Sequence, residues 1–156
     1  MKPPQTFTSR IEWTGNRGKG TSAYNAYDRT WNVCTPGQVV VEASNDPRLG
    51  GNPSKPNPED MLLSALAACH MLWFLHLASD KGLTVHAYSD TPIGEAESEP
   101  SGKGRFTRAI LRPEITLEAG DDTEIANAIH HLIGDVCFIA RSVNFPVLHE
   151  PRYRVA

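Results

Sequence analysis

Residues 61–79 read MLLSALAACHMLWFLHLAS, a run with no charged side chain, and how that run is covered decides the fold. A stretch this long and apolar suffices to cross a bilayer. Ser64, His70 and His76 interrupt it, Asp60 and Asp80 bracket it, and the chain as a whole has a mean hydropathy of -0.36. The run is therefore predicted to be a helix covered on all sides in a core, with no membrane as partner. Its start is marked by Asn57 as cap, Pro58 at the first helical position, and Glu59 and Asp60 against the positive end of the helix dipole. Gly82 is the expected stop.

Outward from the helix the pattern changes to strands. Phe7, Ile11 and Trp13 alternate with polar residues, residues 24–33 suit an aromatic-rich strand, and residues 38–43 contain a β-branched run. Three strands in a meander are expected before the helix, with a loop over residues 44–55. After it, Leu83, Val85 and Ala87 alternate, as do Ala109, Leu111, Ile115 and Leu117, across a polar turn region at residues 94–104, which predicts a hairpin. A second helix should begin near Asp121, capped by Asp122 or Thr123. Its apolar stripe is Ile125, Ala128, Ile129, Leu132, Ile133 and Val136, and Cys137 falls at its end. The fold class is α+β, antiparallel sheets around a long central apolar helix, in a single domain over residues 1–156. So small a chain has too little surface of its own to cover such a helix, so a homodimer that packs two of them together is inferred.

Composition narrows the function. The chain has 156 residues, 40% hydrophobic and 21% charged, as in an ordinary globular protein, and a formal net charge of -3. Without a basic balance or a run of like charge, nucleic acid is not an expected partner. The N-terminus, MKPPQTFTSRIEWTG, has no apolar segment of signal-peptide type, which makes a cytoplasmic location the expectation. There, Cys34, Cys69 and Cys137 would be kept reduced, and any disulfide would be transient and catalytic.

Each candidate for chemistry has a plain structural alternative. Cys69 among alanines is, on spacing alone, more readily a small buried hydrophobe than a nucleophile, and Cys137 could simply finish the stripe of its helix. Arg29 is by default a solvated strand arginine, Glu59 a helix-dipole acid, and Cys34, before Pro36, incidental. His70 follows Cys69 directly, so on a helix the two diverge. His76 shares nearly the face of Cys69 but lies roughly 10 Å further along the axis, too far for joint metal ligation. His130 and His131 line the second helix. With no Cys-x-x-Cys, glycine-rich phosphate loop or Gly-x-Ser-x-Gly, neither cofactor nor metal is expected.

Two segments carry a resemblance. Residues 57–70, NPEDMLLSALAACH, look like the signature of the OsmC/Ohr family of osmotically inducible and organic hydroperoxide resistance proteins, and residues 137–143, CFIARSV, resemble its second cysteine motif. The order of elements matches along nearly the whole chain, the early strand with Arg29 included. The resemblance implies a cysteine-based thiol peroxidase that reduces organic hydroperoxides as an intertwined homodimer. Cys69 would be the peroxidatic residue and Cys137 the resolving one, Arg29 and Glu59 would complete the site, and an external dithiol would reduce the resulting disulfide. Phe138 stands where many members have proline, and Arg29 lies in a tyrosine-rich segment rather than the glycine-rich surroundings of Ohr, which sets the chain nearer the OsmC-like branch.

The chemistry fits these residue types. A thiol must be ionised to attack a peroxide oxygen, burial opposes that, and a fixed cation such as Arg29 offsets the effect. Leu66, Trp73 and Phe138 are the apolar residues expected to favour organic peroxides. Glu59 and Cys69 lie ten residues apart, about 15 Å of helical rise, so a glutamate that braces the arginine at Cys69 would come from the partner subunit. Two other readings stay open: a hydrophobic-ligand-binding protein with passive cysteines, and a thioester-handling thiol enzyme, for which no base beside Cys69 is visible.

Overall fold

The apolar run forms one uninterrupted helix, α1 (Pro58–Asp80), in a computed structural model that describes residues 3–156; the first two residues of the N-terminal stretch read above lie outside the described residues. Both ends of α1 are built as the sequence predicts. The Asp60 N–H donates to Asn57 Oδ1 at 2.8 Å and the Asn57 N–H to Asp60 Oδ2 at 3.2 Å, a reciprocal cap ahead of Pro58. At the other end Gly82 takes a φ of 79°, where a side chain would be strained, and the Leu83 N–H closes onto the Ala78 carbonyl at 2.9 Å.

Contacts along the backbone divide the chain into two units, residues 1–61 and 62–156. The first holds the expected meander, β1 (Ile11–Trp13), β2 (Thr30–Val33) and β3 (Val41–Ser44), antiparallel in that order. The strand expected over residues 24–33 keeps only its second half. Tyr24 to Asp28 turn instead: the Ala26 N–H returns to the Ala23 carbonyl at 3.0 Å, and Tyr27 makes an isolated bridge to Asn16. Phe7 likewise precedes β1 rather than joining it.

The second unit has two three-stranded sheets. β4 (Val85–Asp90) pairs antiparallel with β7 (Pro113–Leu117), and β5 (Ile93–Ser98) with β6 (Gly104–Leu111). The single hairpin expected from alternation is thus two nested pairs in different sheets, the chain changing sheet at Thr91 and Pro92 and again at Arg112. β5, read from sequence as part of a polar turn, is a strand because its acids face arginines across the pair: Glu95 opposite Arg108 and Glu97 opposite Arg105, each ion pair at 2.6 Å. Two short strands that the sequence did not announce, β8 (Val147–His149) and β9 (Arg152–Val155), join parallel to β6 and β7, so both sheets are mixed. The second helix, α2 (Thr123–Val136), is capped by Asp122, which accepts from the Glu124 N–H at 2.8 Å, and ends at Cys137.

Its buried line differs from the expected stripe. Ala126, Ile129, His130 and Ile133 are buried, whereas Ile125, Leu132 and Val136 are exposed. Phe74, Ala78, Ile115, Leu117, Ile129 and Ile133 make the main core, joined by Cys137, and Leu66, Ala67, Ala109 and Leu111 a second cluster. α1 is not covered on all sides within one chain. It buries the line Leu66, Ala67, His70, Phe74, Ala78, while Leu72 remains 63% exposed and Leu75 and His76 are open as well. By length and apolar content α1 passes the test for a membrane span, but its buried line packs among sheets and a second helix as a core helix does.

Candidate functional site

α1 presents Cys69 beside its buried line, half-buried and packed against the main core, one position before the buried His70. Cys137 arrives from the opposite direction, at the residue that ends α2, and is 1% exposed. The two sulfurs meet: Cys137 Sγ–H donates to Cys69 Sγ at 2.8 Å, and both cysteines are unbridged. The sulfurs are thus within 1 Å of the length of a disulfide bond, about 2.05 Å. Burial, reinforced by the hydrogen bond given to Cys69, pushes the Cys137 thiol up to about 11; the Ala140 N–H, 3.4 Å from its sulfur, works the other way. The environment thus separates the thiols. Cys137 is enclosed and holds its proton, whereas Cys69 is the one reached from outside.

The other two expected site residues lie in the first unit. Arg29, just before β2, is fixed by its surroundings rather than by a carboxylate. Its guanidinium lies over the Tyr24 ring at 4.2 Å and the Tyr27 ring at 5.0 Å and donates to the Tyr24 carbonyl at 3.0 Å. Its own carbonyl accepts from the Asn45 N–H at 3.1 Å and from Ser44 Oγ at 3.2 Å. Close by, the loop turns at Gly51, where a Cβ would stand 1.6 Å from the Asn45 carbonyl oxygen, so only glycine fits. The tyrosines read from sequence as strand residues are thus the arginine's clamp. Glu59 is exposed in the first turn of α1, and among the described residues no ion pair joins it to Arg29. Cys34 lies in the same unit, its sulfur 3.6 Å from Glu12 Oε2. Of the apolar residues named beside Cys69, Trp73 packs on the same core, Leu66 is fully buried in the second cluster, and Phe138 is 60% exposed.

Sequence reasoning missed a histidine cluster in the second unit. His70 Nε2 and His130 Nδ1 share a hydrogen bond at 2.7 Å, and the two rings stack with centroids 5.0 Å apart. His149 from β8 stacks on His130 at 5.3 Å, and Phe74 stacks on it at 4.6 Å. Burial, then the neighbouring imidazoles, holds His70 down at about 4 and His130 at about 3, so both rings are neutral. The signal available in sequence was a histidine at a buried position of each helix, Leu66, His70, Phe74 on one and Ile129, His130, Ile133 on the other. Among the described residues no set of His, Cys, Asp and Glu side chains is arranged to hold a metal ion.

Solved structures share this fold. An OsmC-like protein of unknown function from Vibrio cholerae O1 biovar eltor superposes with a TM-score of 0.84 at 26% identity, over 95% of this chain and 99% of that one. An organic hydroperoxide resistance protein OsmC from Legionella pneumophila gives 0.67 at 18% identity, over 96% and 98%. An organic hydroperoxide resistance protein from Elizabethkingia anophelis, with thiocyanate bound, gives 0.67 at 16%, over 97% and 99%. No curated protein matches the sequence. The family model for OsmC-like proteins matches residues 51–150, which take in Cys69 and Cys137, α1, α2 and the five strands β4 to β8, and the chain therefore belongs to the OsmC-like protein family.

Proposed function

We propose that the protein is a thiol peroxidase for organic hydroperoxides, working in the cytoplasm as a homodimer. The observation that carries this reading is the 2.8 Å approach of Cys69 and Cys137 sulfurs in differently exposed settings. The Cys69 thiolate attacks the outer oxygen of R–O–O–H, the O–O bond breaks, and the alkoxide leaves as R–OH after taking a proton, so that Cys69 becomes a sulfenic acid. Cys137 has kept its proton until then. Its sulfur displaces the sulfenic hydroxyl, which departs with that proton as water, and the two-electron oxidation ends in a Cys69–Cys137 disulfide. An external dithiol restores both thiols by exchange.

In this reading Arg29 holds its cation at Cys69 in the assembled dimer. The tyrosine clamp supports the assignment, because a guanidinium already fixed loses little freedom when it engages a thiolate. Glu59 would brace the arginine from the partner subunit, and the exposed apolar face of α1 at Leu72 and Leu75 is the surface the partner would cover. The test is mass spectrometry after substoichiometric cumene hydroperoxide. Wild type should yield a Cys69–Cys137 disulfide and Cys137→Ser a sulfenic acid at Cys69. If Cys69→Ser consumed peroxide as fast as wild type, the proposal would fail.

A further inference from the structure

Strands β7 and β9 lie side by side in parallel, and alternation sends successive residues to opposite faces. Ile115 and Tyr153 turn to the main core, whereas Glu114, Arg152 and Arg154 share the outer face. Two arginines beside one glutamate leave one cation over. Arg154 takes Glu114 at 2.8 Å, and among the described residues Arg152 has no ion pair. Arg112, where the chain passes from β6 to β7, has none either. Its Nε donates to the Thr91 carbonyl at 3.0 Å and its backbone N–H to Asp90 Oδ1 at 2.8 Å, which fix it while its terminal N–H groups stay uncommitted.

These two cations border one hollow of about 190 Å³, lined by Thr91, Arg112, Glu114 and Arg152. Its walls are reached from solvent: Thr91 and Arg152 are exposed, Arg112 and Glu114 half-buried. Like charges gathered without a counter-ion repel, and a chain with a formal net charge of -3 has no general excess of cations to explain them. The neighbouring Asp90 borders a separate hollow on the α1 side, with Ser64 and Met71.

The missing counter-charge defines what fits. A carboxylate matches one guanidinium fork, whereas a phosphoryl group has oxygens for two, and its charge of about -1.5 to -2 at pH 7 balances both arginines. A cavity of about 150 Å³ takes a guest of benzene's size, so this hollow has room for a phosphoryl group with a small substituent, and Thr91 adds a hydroxyl donor. We propose that Arg112 and Arg152, with Thr91, form a binding site for a dianionic phosphoryl group, brought by free phosphate or by a small phosphate monoester. The site stands apart from the peroxidase reading, since none of its residues takes part in the thiol chemistry.

The experiment is calorimetric titration of the full-length protein with inorganic phosphate and with methyl phosphate, at about 0.1 M salt so that charges more than about 10 Å apart are screened. Arg152→Gln should weaken binding at least about tenfold. Arg112→Lys, which keeps the charge and loses the fork, should weaken it several-fold. Arg141→Gln, which removes an exposed arginine outside the hollow, should leave it unchanged. Methyl phosphate bound at least as tightly as phosphate assigns the site to a monoester, and weaker binding assigns it to the free anion. No binding of either at about 10 mM, unchanged binding in either hollow variant, or an equal loss in Arg141→Gln would each overturn the proposal. Arg152 is exposed, so its variant gives the answer even if Arg112→Lys does not fold.

Discussion

The two units hold their reactive groups by different means. In residues 62–156 the important atoms touch one another inside packed elements: sulfur on sulfur at 2.8 Å where α1 meets the end of α2, imidazole on imidazole at 2.7 Å. In residues 1–61 the charged groups lie nearer the surface. There Arg29 is held by aromatic faces and a carbonyl, and Glu59 by its place on the first helical turn. On the proposed peroxidase reading, the difference teaches that the bond-making groups are placed by helix packing, whereas the charge that would tune them is placed by turns. Substitutions in the two units should therefore fail differently, the second losing chemistry and the first losing rate.

The largest effect that sharpens this contrast is at Arg29. Arg29→Ala should keep the fold and still form the Cys69–Cys137 disulfide, yet reduce peroxide roughly 10- to 100-fold more slowly at pH 7. Activity should recover in part as the pH rises toward the ordinary thiol value of about 8.5, because hydroxide then supplies the thiolate that the cation no longer favours. A rate equal to wild type across a stopped-flow pH series would show that the first unit contributes nothing to the chemistry.

A smaller effect asks whether the units of two chains cooperate. Glu59 and Cys69 belong to one continuous α1, and about 15 Å of helical rise separates them, so one copy cannot supply both to one sulfur. Cys69→Ser and Glu59→Ala are each expected to be weak or inactive. Mixed in equal amounts and allowed to exchange subunits, half the dimers should carry one complete site, restoring about a quarter of wild-type activity. No recovery after exchange has been verified by native mass spectrometry would mean that each chain builds its site alone.

How much of this was legible in the sequence follows the same division. The ends of α1, the cap of α2 and the position of Cys137 could be read because each depends on local rules: Asn57 with Asp60, Asp122 with the Glu124 N–H, Gly82 at positive φ. β5 was hidden because GEAES has no apolar alternation and is held by cross-strand ion pairs, which only register reveals. β8 and β9 were hidden because they are short parallel additions whose partners lie far back in the chain. At the site, the motif named both cysteines, but nothing local told that Tyr24 and Tyr27 would turn to embrace Arg29. The histidine cluster escaped for a further reason. Divergence of neighbours on one helix correctly separates His70 from Cys69, yet says nothing of the His130 that α2 brings against it.

The last and smallest effect isolates the second unit by acid. No histidine occurs in residues 1–61, so a loss of stability through the histidine range reports residues 62–156. His70 and His130 sit at about 4 and about 3 in the folded protein, and His149 is lowered too, in each case chiefly through burial. An unfolded histidine titrates near 6.5. Below that pH the unfolded chain binds protons that the folded chain refuses, so the stability present at pH 7 is lost progressively as the pH falls from about 6.5 through 4 toward 3. Asp90 opposes this at the acid end, since burial raises its carboxyl and folding then favours its protonated form. Between pH 7 and pH 5, before carboxylates contribute much, the melting temperature should fall by about 5–10 °C. In His70→Gln the same interval should show a visibly shallower fall, because one of the two most enclosed imidazoles no longer has to be charged on unfolding. Differential scanning calorimetry of the reduced protein gives both slopes. A melting temperature constant from pH 7 to 5, or equal slopes in the two proteins, would mean that the stacked imidazoles are not the neutral, enclosed pair on which the contrast between the units depends.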